Sequence, residues 1–219
     1  MKKKKETISK IDKLFVKAQR KLETSNYSIK KMKDYLKKNG GDKKEIDEVI
    51  SKLKKYLFLD EDEVIKNIIS FADSKHYGYN KIISMLIQRE IDPKKISKIE
   101  KDETRELRES KEMLKRLIKR YKNKNTANLK RNVFSALIRY GFDENIASLR
   151  TEEVYNSPQK EIDVLKLDYK KAISSFSRKL NGSSLKVKIR DSLLSKGYKL
   201  NDIRKVEENN NIWNGLKIS

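Results

Sequence analysis

One residue in the chain is suited to moving protons near neutral pH, and it stands alone. His76 is the single histidine among 219 residues. A general base needs an organised partner within hydrogen-bond reach. The residues around His76 offer no Ser/His/Asp or His–carboxylate arrangement, and its place beside Tyr77 and Gly78 suits a positive side chain at a helix C-terminus. The chain has no cysteine, which excludes disulfides, thiolate nucleophiles and Cys-based zinc sites. Asp60, Glu61, Asp62 and Glu63 form a dense acidic run. It lacks the glycine and ligand spacing of an EF-hand loop, and carboxylates are favoured at a helix start, so the run reads as a cap. No GxxxxGK[ST] loop is present to hold nucleotide phosphates. The expectation is a protein that is not an enzyme and needs neither metal nor cofactor.

The chemistry that remains is charge. Lys and Arg number 54 against 32 Asp and Glu, a net charge of +22. Such a surplus implies an anionic partner, with nucleic acid the first candidate. Codon bias in an AT-rich genome, which favours Lys, Ile and Asn, is the competing source. The charge is uneven: residues 1–59 carry +11, residues 60–102 carry −1, residues 103–156 carry +5 and residues 157–219 carry +7. Lys115 and Lys119 are four apart, as are Arg116 and Arg120, so each pair shares a helix face. Lys122, Lys124, Lys130 and Arg131 continue the run across a turn. Lys186, Lys188 and Arg190 occupy a similar place further on. Each taken singly reads as solvated surface; as a cluster they are the candidates for phosphate contact. Arginine is little interleaved with aromatics, so base reading is not expected.

These cations need elements to carry them, and the apolar spacing says which. Met32 and Leu36 lead to Gly40 and Asp42. Ile82 and Leu86 lead to Glu90 and Asp92, Val133 and Leu137 to Gly141 and Asp143, and Ile189 and Leu193 to Gly197. Recurrence at about 50 residues is the signature of a helical repeat array. Only 36% of residues are hydrophobic and 39% are charged, which suits units that each keep much surface in water. The fold class expected is all-α: an elongated, curved tandem array of about four three-helix repeats. The units are residues 1–58, 59–102, 103–156 and 157–210, with 211–219 as a tail.

Caps mark the helices. Asp42 with Glu45, and Asp60 with Glu63, have the form of capping boxes. Asp92-Pro93 and Ser157-Pro158 place a cap before a first-turn proline, with Ile91 set to staple onto Ile96. Thr126 is expected to cap after a break at Asn123–Asn125. The first-helix stripes are Ile8, Ile11, Phe15, Ala18 and Leu22; Val64, Ile65, Ile68, Phe71 and Ala72; Leu107, Leu114, Leu117, Ile118 and Tyr121; and Ile162, Leu165, Tyr169, Ala172, Phe176 and Leu180. In the third unit Ile146 and Leu149 sit one position early relative to Ile96 and Ile99. Asn181-Gly182 is expected to end the long helix before it. Trp213 either plugs the end of the array or is mobile. No apolar h-region follows the basic residues Met1–Lys5, and no apolar run approaches 18 residues, so a soluble intracellular protein is expected.

Tyr27-Ser28, Met32, Leu36, Gly40, Ile46, Val49, Leu53 and Leu59-Asp60, followed by Gly78, Lys81-Ile82, Leu86, Ile91 and Asp92, resemble the RecX family, bacterial regulators of the RecA recombinase. The likeness is best from Tyr27 to Ile99; later units share pattern more than identity. Glu90 stands where the family pattern has Gly, the basic residues are mainly Lys, and little precedes the first helix. The resemblance implies a monomeric, cytoplasmic, curved array of three-helix units. It would bind RecA and RecA–single-stranded-DNA filaments in the filament groove and inhibit ATPase, strand-exchange and co-protease activity in the SOS response. The DNA would be met through its phosphates. The alternative is a non-specific, lysine-rich nucleic-acid-binding helical repeat protein.

Overall fold

The computed structural model describes residues 9–24 and 27–209. Ile8 and Trp213, singled out above, lie outside them. Among the described residues every regular element is a helix: α1 Lys10–Thr24, α2 Ile29–Lys38, α3 Lys43–Lys55, α4 Glu61–Lys75, α5 Tyr79–Gln88, α6 Pro93–Ile96, α7 Glu103–Arg120, α8 Thr126–Arg139, α9 Glu144–Glu152, α10 Pro158–Phe176, α11 Gly182–Ser195 and α12 Leu200–Asn209. The fold class is therefore all-α. The chain divides into two compact units, Met1–Glu109 and Ser110–Ser219, and the division falls within α7.

The recurring apolar pair forms the centre of each helical group. Met32, Leu36, Ile82, Leu86, Val133, Leu137, Ile189 and Leu193 are all buried. In unit 1, α1–α3 with Leu59 enclose one core, and α4–α6 enclose a second around Ile68, Ala72, Ile82, Leu86 and Ile91. In unit 2, α10–α12 enclose a third around Tyr169, Ile189, Leu193 and Ile203. Burying one apolar stripe per helix is what stabilises short helices that would be marginal in water.

The caps are largely where the sequence puts them. Asp42 and Glu45 form a reciprocal capping box. Asp60, Asp92, Asp143 and Ser157 each accept a first-turn N–H. The cap of α8 is Asn125, which accepts from the Asn128 N–H, and Thr126 is the first helical residue instead. The residue after the pair's second helix has positive φ each time: Gly40, Glu90, Gly141 and Gly197. Glu90 adopts φ 58°, the conformation its glycine counterparts take, so that helix ends as sharply as the others.

Several apolar residues expected inside lie outside. Leu107 and Ile162 are exposed, as are Phe71 and Leu149. On α7 the buried face runs through Glu106, Glu109, Ser110, Met113, Leu114 and Leu117, so polar residues hold half of it and the apolar pattern misplaces its start. In α1 the buried positions are Leu14 and Ala18, with Ile11, Phe15 and Leu22 packed around them. The apparent shift in α9 dissolves for the same reason. Counting from the helix caps, Ala147 matches Ile46 and Ile96, and Arg150 matches Val49 and Ile99. Arg150 is buried, donating to the Ser110 hydroxyl at 2.9 Å and pairing with Glu153. The long helix α10 ends at Phe176, and Asn181-Gly182 instead open α11.

Candidate nucleic-acid interface

Successive helical groups are joined by a buried or half-buried glutamate that polarity patterns do not reveal. The first N–H groups of a helix have no partner within it. The Ile29 N–H, at the start of α2, donates to Glu61 Oε1 on α4 at 2.8 Å. The Tyr79 N–H, starting α5, donates to Glu106 Oε1 on α7 at 2.8 Å. The Thr126 N–H, starting α8, donates to Glu161 of α10 at 3.0 Å, and Thr126 Oγ1 and Asn156 Nδ2 donate to the same oxygen. Glu61 thus serves a neighbouring helix rather than the acidic run at its own helix start, and it is only 2% exposed. The signal was available. Each glutamate lies eleven residues before a buried core residue on its own helix: Ala72, Leu117 and Ala172.

The candidate cations all lie in unit 2. Lys115, Arg116, Lys119 and Arg120 are exposed on the last turns of α7, and Lys122 and Lys124 are exposed in the loop after it. Basic residues there also complement the helix dipole. Lys115 pairs with Glu112 at 2.6 Å. Arg120 donates to the Tyr140 hydroxyl and lies over the Tyr121 ring at 5.6 Å. On α8, Lys130 pairs with Glu152 and Arg131 touches Asn128. Lys119, Lys122 and Lys124 have no side-chain partner among the described residues.

The loop carrying Lys122 and Lys124 is pinned against the C-terminal end of α11. Asn125 Nδ2 and Asn128 Nδ2 both donate to the Lys196 carbonyl, at 2.8 and 3.1 Å. Asn156 Nδ2 donates to the Lys124 carbonyl at 3.0 Å. Lys186 and Lys188 lie on the N-terminal half of α11 and Arg190 just past its middle, about 9–15 Å along the helix from Lys196. The structure therefore sets the loop cations Lys122 and Lys124 near the C-terminal end of α11, with Lys186 and Lys188 in its N-terminal half. Arg190 grips the Glu207 carboxylate with two nitrogens, and Glu207 also accepts from the buried Tyr169 hydroxyl. That carboxylate raises the Arg190 pKa further. Lys186 is half-buried and Lys188 exposed.

His76 does have a carboxylate partner, contrary to the reading of its sequence surroundings. It ends α4 at φ 58°, and its Nδ1 lies 2.6 Å from Glu109 Oε2 on α7. Arg108 holds the other oxygen of Glu109 at 2.9 Å. Burial raises the Glu109 pKa, but the His76 and Arg108 hydrogen bonds outweigh it and hold the carboxyl below its usual value. With both oxygens engaged and only 5% of the residue exposed, this carboxylate ties α4 to α7. Three carboxylates of the Asp60–Glu63 run are engaged within the fold: Asp60 caps α4, Glu61 joins two helices through Oε1, and Asp62 pairs with Lys95 at 2.8 Å. Among the described residues no group of three or more acidic or histidine side chains could hold a metal ion, and no helix is long and apolar enough to cross a membrane.

Among the described residues the chain is all-helical, with glutamate joints between successive helical groups and exposed cations at the end of α7 and in the loop after it. No family model matches it. It is 28% identical over 180 residues to Regulatory protein RecX of Oceanobacillus iheyensis, a match covering 78% of this chain and 65% of that protein. The chain thus spans just under two thirds of that relative's length. Regulatory protein RecX of Streptococcus agalactiae serotype Ia is 27% identical over 179 residues, covering 80% of this chain and 69% of the relative. The crystal structure of RecX from Lactobacillus salivarius superposes with a TM-score of 0.30 at 18% identity, over 91% of this chain and 95% of that one. The sequence likenesses support the RecX family for this chain.

Proposed function

We propose that the chain is a RecX-like regulator that binds RecA and RecA–single-stranded-DNA filaments and inhibits their ATPase, strand-exchange and co-protease activities. The similarity to proteins named Regulatory protein RecX supports the choice of partner. One observation carries the DNA contact: Lys119, Lys122 and Lys124 are exposed at the end of α7 and in the loop after it, without a side-chain partner among the described residues. Their charges meet phosphate, and each phosphate they neutralise releases counterions condensed on the DNA. Action on ATP turnover is exerted on RecA's own site. The working form is a cytoplasmic monomer of four repeats, with boundaries near residues 58, 102 and 156. Several weak contacts along one filament add through effective concentration.

The test is RecA ATPase on single-stranded DNA with this protein titrated in, alongside direct binding measured over a range of salt. Suppression at stoichiometric levels supports the reading; unchanged turnover ends it. Replacing Lys119, Lys122 and Lys124 together by Gln lowers the salt slope for single-stranded DNA by about 2, and an unchanged slope removes these residues from the interface. The same unpaired lysines favour a second reading, a non-specific nucleic-acid-binding protein. Equal affinity for bare DNA, RNA and RecA filament would select it.

A further inference from the structure

Unit 1 holds an open apolar groove. It lies between α2 and the α5–α6 end and has a volume of about 830 Å³. Ile29, Ile87, Ile91 and Ile96 form its walls, and Ile87 is 60% exposed. The groove exists because α6 is a single turn of four residues with no buried side chain. Its counterparts α3, α9 and α12 have 13, 9 and 10 residues. A volume of this size lies within the range of ligand-binding clefts, about 300–1,000 Å³.

The floor is polar in one place. Glu61 lines the groove at 2% exposure. Its Oε1 accepts the Ile29 N–H, and its Oε2 is buried with no hydrogen-bond partner. A buried acceptor left unpaired destabilises the fold, and a donor supplied at this point would recover that loss. The charges around it are not balanced from within. Lys30 is drawn to Glu90 at 3.0 Å and Lys33 to Asp47 at 2.8 Å. Asp34, also on the wall, has no cation partner among the described residues. Phosphate is repelled by such a lining, whereas an apolar segment bearing Lys or Arg complements both wall and floor.

We infer that this groove is the protein-binding site of the chain. It takes an apolar segment of the recombinase whose Lys or Arg side chain donates to Glu61 Oε2. This deepens the proposed function and rests on that reading. It assigns protein to the groove of unit 1 and phosphate to the cations of unit 2.

The experiment measures affinity for RecA filaments on single-stranded DNA, and for bare single-stranded DNA, using the full chain and two variants. Ile87→Glu places a charge on an exposed wall position, so folding is not taxed. Glu61→Gln keeps the side-chain shape and the acceptor for Ile29 while removing the attraction for a cation. Both are expected to weaken filament binding at least tenfold and to leave bare-DNA binding unchanged, with wild-type circular dichroism. If the wild type binds filaments and either variant binds them equally well, the groove assignment is overturned and the wider function stands. If the wild type does not bind filaments beyond bare DNA, the function and the groove assignment fall together.

Discussion

The two units make the same joint in different ways. In unit 2 the start of α8 meets α10 and α11 in a sealed seam. Glu161 uses both oxygens, Asn125 and Asn128 close on the Lys196 carbonyl, and a Cβ on Gly197 would stand 2.8 Å from that of Ala127. In unit 1 the start of α2 meets α4 and α5 in a seam that stays open beside a groove, with one oxygen of Glu61 stranded. Backbone strain follows the same division. Among the described residues, every left-handed position in unit 2 is glycine, whereas Leu57, His76 and Glu90 hold left-handed conformations in unit 1. Unit 2 has an unpaired atom of its own, the buried Asn156 Oδ1, but no groove beside it is lined by that residue. The difference sets a closed, fully packed joint against an open one, and the proposed protein-binding groove lies beside the open one.

The sealed joint breaks most sharply at Gly197. Its φ of 90° disfavours any side chain, and the added Cβ would press on Ala127. Gly197→Ala is expected to cost about 3 kcal/mol, measured by urea unfolding; a loss below about 1 kcal/mol would mean that the seam yields easily.

The glutamates sharpen the comparison with isosteric changes. In Glu161→Gln the new amide faces Thr126 and Asn156 donors whichever way it turns, and the expected loss is about 2 kcal/mol. In Glu61→Gln the amide replaces the stranded oxygen and the Ile29 bond survives. About 0.5 kcal/mol is expected there, from the lost charge at a helix start. Equal losses in the two units would remove the distinction between sealed and open joints.

The units also differ in which pH extreme they resist. In unit 2, burial raises the pKa of Tyr169 and of Tyr198, and the neighbouring Glu207 and Asp168 raise each further. A raised folded pKa contributes stability that is complete below the unfolded value near 10 and is lost as pH climbs through the folded value. The loss is about 1.4 kcal/mol per group per pH unit above 10. In unit 1 the depressed Glu109 contributes stability that is present above its unfolded value of 4.5 and is lost as pH falls through the folded value. Limited proteolysis with fragments identified by mass is expected to open unit 2 first in alkali and unit 1 first in acid. The reverse order would contradict these assignments.

How much of this was legible beforehand depends on the kind of residue. Apolar pairs such as Ile82–Leu86 and caps such as Asp92-Pro93 were readable because their physics is local: a stripe at helical period, a side chain bonding its own first turn. The joints were not, because they run on polar residues in buried places. Glu106, Glu109 and Ser110 displaced the expected stripe on α7, and Arg150 took a core position that periodicity assigns to an apolar residue. The candidate cations were readable as charge, but their grouping was not. Which of them share an end of α11 is set by Asn125 and Asn128 reaching the Lys196 carbonyl across about 70 residues of chain.

The smallest effect isolates the strain itself. Glu90 occupies the left-handed position that Gly197 fills in unit 2, and a side chain there costs about 1 kcal/mol. Its half-exposed carboxylate recovers part of that through Lys30 at 3.0 Å and Lys31 at 3.9 Å, pairs worth at most a few tenths of a kcal/mol in water. Glu90→Gly is therefore expected to stabilise unit 1 by roughly 0.5 kcal/mol, opposite in sign to Gly197→Ala at the matching place. If strain at this helix end serves the adjoining groove, the stabilised variant loses filament affinity because Lys30 is released from the rim. A variant that gains stability with filament binding intact would show that Glu90 holds its conformation for no purpose at the groove.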